Sequence, residues 1–66
     1  MSETFGKRLK KIREQKGLSQ GELAKNMGIS QQQLCRYEAD KSVPTLITFE
    51  WFCIALGVSA TELLGY

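Results

Sequence analysis

The stretch from Gln20 to Tyr37, QGELAKNMGISQQQLCRY, constrains this chain more than any other. Leu23, Ala24 and Met27 lie before Gly28 at helical spacing, and Ile29, Leu34 and Tyr37 lie after it. Gly28 carries no side chain, so the backbone can take positive φ there and turn within three residues. Ala24 is small where two helices would cross. The pattern predicts two short helices joined by a tight turn, with the polar residues of the second gathered on one outward face.

The size of the chain limits what surrounds this unit. Sixty-six residues make one small domain, and a chain of that length buries only ~60% of its unfolded surface. A disulfide, a metal or a second subunit would have to supplement so small a core. There are two cysteines, Cys35 and Cys53, and no histidine. That is too few ligands for a structural zinc site. The sequence is not Cys-dense in the way of small secreted domains, so both cysteines are read as free thiols. The N-terminus has no apolar signal segment, and no run of about 18 apolar residues exists to span a membrane.

Net charge is only +2, but it is unevenly spread. Residues 1–16 carry six Lys or Arg against two Glu, whereas residues 42–66 carry no Lys or Arg and two Glu. The basic end suits an anionic partner, and the apolar end suits protein contacts. Taken alone, the basic end is equally a solvated helix face.

Helix signals then appear in order. Phe5, Leu9 and Ile12 mark one face of a first helix over about 5–16, stopped by Gly17. Ser19-x-x-Glu22, Ser30-x-x-Gln33 and Ser59-x-x-Glu62 are capping-box patterns at the starts of the second, third and fifth helices. Thr45 caps a fourth helix that runs to about Leu56 and ends at Gly57. Its expected core face is Leu46, Phe49, Phe52, Cys53 and Leu56, yet Ile47, Trp51 and Ile54 make a second apolar stripe. A helix apolar on both faces cannot be covered by so short a chain. The fold class is therefore all-α, a compact bundle of five helices.

The outward face of the third helix collects Gln31, Gln32, Cys35, Arg36 and Ala39, with no acid among them. The major groove of DNA admits an α-helix. There glutamine pairs with adenine, arginine with guanine, and a small apolar group touches a thymine methyl. Gln31, Gln32 and Arg36 suit base reading, with Cys35 and Ala39 as minor contacts. Helix N-termini bind phosphate, which assigns Ser19, Gln20 and Ser30 to the DNA backbone. Lys41 and Ser42 in the following loop suit the same role. Three glutamines on a helix would mean only a solvated face if the preceding helix and turn were absent.

With Gln20, Ala24, Gly28, Leu34 and Tyr37 in place, the segment resembles the helix-turn-helix of the Cro and phage-repressor (Xre-like) family. The flanking stretches IREQKGLSQ, RYEADKSVPT and ALGVSATELL match too, so the resemblance covers roughly residues 7–64. It implies a lambda-repressor-like five-helix domain that binds operator DNA as a homodimer and acts as a transcriptional repressor. By position it also implies an architectural pair, Arg13 with Glu38. The pattern departs at Ala39-Asp40, where the family carries Gly or Asn and Asp takes the left-handed conformation less readily.

Residues 1–66 are thus expected to form one DNA-binding domain, with the motif over about 19–38 and a dimerisation region over about 45–66. The expected dimer seam is Ile47, Trp51, Ile54 and Val58. Alternatively, Trp51 folds against the tail around Leu64 and Tyr66. Catalysis is not expected: the chain has no histidine, no Gly-rich phosphate loop and no base for Cys35. Neither a cofactor nor a small-molecule ligand is expected, and the expected location is the cytoplasm, at the nucleoid. The competing function is an antitoxin or protein-interaction module that uses the apolar face of the fourth helix.

Overall fold

The computed structural model describes residues 3–65. Five α-helices follow in order: α1 Phe5–Gln15, α2 Gln20–Met27, α3 Gln31–Glu38, α4 Leu46–Leu56 and α5 Ala60–Leu64. The described residues contain no strand. No helix among them is long and apolar enough to cross a membrane.

Every helix begins at a hydroxyl. Thr4, Ser19, Ser30, Thr45 and Ser59 are extended, and each accepts the N–H of the residue three positions on. This satisfies a donor that the helix itself leaves unpaired. Full capping boxes form at Ser19–Glu22 and Ser59–Glu62. At α3 only the serine half is present, Gln33 N–H to Ser30 Oγ at 3.0 Å. The neutral Gln33 amide is a weaker acceptor than a carboxylate. Thr4 is the one cap that the sequence patterns above did not single out.

Leu9 and Ile12 of α1, Leu23 and Ala24 of α2, Leu34 of α3, Phe52 and Leu56 of α4, and Leu63 of α5 form the buried core. Phe52 is its hub. It meets Tyr37 edge-on at 5.4 Å between ring centroids and Phe5 at 5.9 Å. Such aromatic pairs contribute ~0.5–1.5 kcal/mol beyond the area they bury.

Two polar devices fix α1 against α3. The first is a buried ion pair. Arg13 Nε donates to Glu38 Oε2 at 2.6 Å, and Arg13 Nη2 donates to Glu38 Oε1 at 3.2 Å. Arg13 Nη1 also donates to the Leu18 carbonyl, and Gln20 Nε2 to Glu38 Oε1 at 3.0 Å. The hydrogen bond to Glu38 raises the Arg13 guanidinium above its ordinary pKa despite burial. The second device is Asp40, whose φ of 59° makes it the one described non-glycine residue with positive φ. Asp40 N–H reaches Tyr37 O, and Lys41 N–H reaches Arg36 O, closing the C-terminus of α3. The Asp40 carboxylate accepts the Thr4 hydroxyl and the Gly6 N–H, so it caps the start of α1. Gly6 permits this approach, because a Cβ there would lie 2.6 Å from the carbonyl oxygens of Tyr37 and Glu38.

One expected core position is not in the core. Leu46 is 75% exposed, because side chains lean toward the helix N-terminus and Leu46 is the first residue of α4. It borders an open groove of about 440 Å³ lined by Phe5, Val43, Pro44, Phe49 and Leu64, among others. The rest of that face is placed as expected: Phe52 and Leu56 are buried, and Phe49 and Cys53 pack against the core.

Glu38→Ala leaves the buried Arg13 without its counter-charge, and should cost ~3–5 kcal/mol in urea unfolding. An Arg13→Met/Glu38→Leu double variant should recover most of that loss, because it removes both desolvated charges. The bonds from Thr4 and Gly6 hold the Asp40 carboxyl below its usual pKa. A depressed pKa contributes stability that is complete above the unfolded value, ~3.9, and is lost as pH falls through the folded value. Asp40→Asn keeps the left-handed tolerance and an acceptor but no titrating group. Its melting temperature should therefore fall less steeply than wild type as pH drops below about 4.

Candidate nucleic-acid interface

The outer face of α3 is built by subtraction. Leu34 is buried in the core, Tyr37 packs against it, and Glu38 is held by Arg13. Gln33 is half-buried, and Gln31, Gln32, Cys35, Arg36 and Ala39 remain exposed. Ala39 lies just past the last helical residue as the C-cap. The face presents two amides, a guanidinium, a thiol and a methyl group, and no carboxylate.

Around this face, the side chains assigned to phosphate have further partners. Ser19 and Ser30 are exposed, and both accept capping hydrogen bonds, with Ser30 keeping a hydroxyl proton to donate. Glu22 completes the Ser19 box, accepting the Ser19 N–H at 2.9 Å. That bond and the Ser19 hydroxyl hold its carboxyl below the ordinary pKa. The α2 N-terminus therefore already carries a negative charge of its own. Gln20 is half-buried, its amide turned onto Glu38, and one amide N–H remains besides its backbone.

Lys41 and Ser42 come to Arg36 rather than standing apart from it. Arg36 Nε donates to Ser42 Oγ at 3.2 Å, and Arg36 Nη2 to the Lys41 carbonyl at 3.4 Å. Sequence spacing did not reveal this link. Nor did it single out Gly21, beside which the Gln31 side-chain oxygen lies, 3.5 Å from where a Cβ would sit. The first turns of α2 and α3 therefore meet closely.

The basic N-terminal end is not one open patch. Arg8 donates to the carbonyls of Glu62 and Leu63 at the end of α5 and pairs with Glu3. Lys11 also lies near Glu3, at 3.7 Å, and Arg13 is buried. Lys7, Lys10 and Lys16 are exposed.

On α4, Ile47, Trp51 and Ile54 are exposed, with Trp51 at 56%. Val58 is half-buried and packs against the core. The alternative packing of Trp51 involves Tyr66, which lies outside the described residues. Cys35 and Cys53 are free thiols, and partial burial raises the Cys53 thiol pKa. Among the described residues no cluster of His, Cys, Asp and Glu is arranged to hold a metal ion.

Residues 9–63 match the helix-turn-helix family model. The chain is 45% identical over 60 residues to YonR, an uncharacterised HTH-type transcriptional regulator from the SPbeta prophage of Bacillus subtilis (strain 168). That match takes in 91% of this chain and 56% of the relative, so the chain spans about half of YonR's length. Among solved structures, it superposes on the restriction-modification controller protein C.AhdI from Aeromonas hydrophila. The TM-score is 0.86 at 32% identity, with 91% of each chain covered. It also superposes on SinR, a master regulator for biofilm formation, in complex with DNA. There the TM-score is 0.83 at 31% identity, covering 91% of this chain and 97% of the other. The buried helix-helix contacts, the acid-free face of α3 and these matches agree: the chain belongs to the helix-turn-helix family of transcriptional regulators, in its Cro/C1-type branch.

Proposed function

We propose that this chain binds a palindromic operator as a homodimer and represses transcription, with α3 in the major groove of each half-site. The acid-free outer face of α3, held from behind by the buried Arg13–Glu38 pair and the half-buried Gln20, carries the reading. Gln31, Gln32 and Arg36 read bases, with Cys35 and Ala39 at the edge of the contact. The hydroxyls and N-termini at Ser19, Gln20 and Ser30 anchor phosphates, with Lys41 at the far end. Residues 1–66 act as one domain whose C-terminal part, about 45–66, makes the dimer.

The exposed Ile47, Trp51 and Ile54 support the dimer reading. A contiguous apolar patch on a protein this small marks an interaction surface. A two-fold dimer through α4 would bury it and repeat the α3 face at ~34–36 Å, one turn of DNA. The same stripe supports a second reading, an antitoxin-like or adaptor role in which a partner protein covers α4.

Selection from random duplexes should return a palindrome. Affinity for it should fall by ~10³–10⁵ between 50 and 200 mM salt if the dimer makes roughly 6–10 phosphate contacts. Recovery of no preferred duplex would reject the DNA reading. For the seam, Trp51→Glu should sediment as a monomer and lose cooperative operator binding. Because Trp51 is the single tryptophan, its emission in the wild type should shift to the blue as protein concentration rises through the dimerisation range. A dimer that persists in the variant would move the seam elsewhere.

A further inference from the structure

Arg36 is gripped along one edge only. Its Nε donates to Ser42 Oγ and its Nη2 to the Lys41 carbonyl. A guanidinium has five N–H donors in a planar fork. The loop takes the edge formed by Nε and Nη2, and leaves the end formed by Nη1 and Nη2 with two parallel N–H groups. That free end is a fork suited to O6 and N7 of guanine.

The gripping loop is itself tied down. Lys41 N–H bonds the Arg36 carbonyl at 2.9 Å, and Asp40 beside it bonds Thr4 and Gly6 of α1. Ser42 is half-buried, so its hydroxyl sits on a supported segment rather than at a free loop tip.

We propose that Ser42 is a positioning residue for base recognition: its hydroxyl, with the Lys41 carbonyl, holds the Arg36 guanidinium edge-on so that the opposite end meets a guanine. This rests on the reading of Arg36 as a base reader. It changes the role of Ser42 from phosphate anchor to determinant of specificity. A released Arg36 would sample many rotamers and reach phosphates at any sequence. Losing the grip therefore weakens binding to the correct base pair more than to wrong ones.

The test is a double-mutant cycle on the selected operator and on duplexes altered at each position, read as the ratio of affinities for right and wrong base pairs. Arg36→Ala should abolish discrimination at one base pair per half-site, a loss of roughly five- to 150-fold. Ser42→Ala should cut discrimination at that same base pair by roughly two- to tenfold, the effect of freeing one ordered side chain. The melting temperature should stay unchanged. Ser42→Thr, which keeps the hydroxyl, should restore discrimination. In the Arg36→Ala background, Ser42→Ala should have no further effect on it.

A Ser42→Ala loss that is uniform across sequences and persists without Arg36 would make Ser42 a phosphate contact and overturn the proposal alone. Unaltered base preference in Arg36→Ala would overturn both the proposal and the reading of Arg36 on which it rests.

Discussion

The ion pair between Arg13 and Glu38 is the contact on which the rest of this small protein depends. Both residues are nearly fully buried, at 7% and 9% exposure. Desolvating two charges costs several kcal/mol per ion before their attraction is counted. The pair persists because its other donors and acceptors are also satisfied, by the Leu18 carbonyl and the Gln20 amide. Glu38 also stands in the last turn of α3, where the helix dipole disfavours a carboxylate, and Arg13 offsets this. One cluster thereby ties together α1, the turn after it, the start of α2 and the end of α3. The orientation of α3 is set from behind, leaving its outer face unencumbered.

Asp40 works at the other end of the same device. The chain needs a left-handed residue to leave α3, and glycine supplies that conformation after the other helices. Aspartate stands here because its carboxylate has a second task, capping the first turn of α1 through Thr4 and Gly6. A glycine would turn the chain with less strain but would leave the Thr4 hydroxyl and the Gly6 N–H without this acceptor. The departure from the family pattern is therefore a trade of backbone ease for a tertiary hydrogen bond. It also sets the position of the loop that grips Arg36.

The surface of α4 follows from size. The buried apolar core of the described residues uses one face of each helix, and five short helices cannot wrap both faces of α4. Ile47, Trp51 and Ile54 are left to water on the isolated chain. Leu46 joins them because the helix begins there, beyond the reach of its neighbours.

Much of this was legible in the residues themselves. Periodicity, the serine caps and the helix-ending glycines gave five helices with bounds close to those observed, since these signals act within a few residues of each other. The buried set on α3, Leu34 and Glu38, followed from spacing and from the resemblance to known regulators. Local signals could not say what long side chains do with their far ends. That Arg8 reaches back to the end of α5, that Gln20 turns inward to Glu38, that Asp40 caps α1 and that Ser42 holds Arg36 depend on how elements distant in sequence dock. Where the helices lie and which face of α3 is polar can be read from residue order, because both depend on neighbours one helical turn away. Which polar groups on that face are already engaged depends on packing, because a hydrogen bond needs its partner within about 3 Å and packing alone brings those partners together.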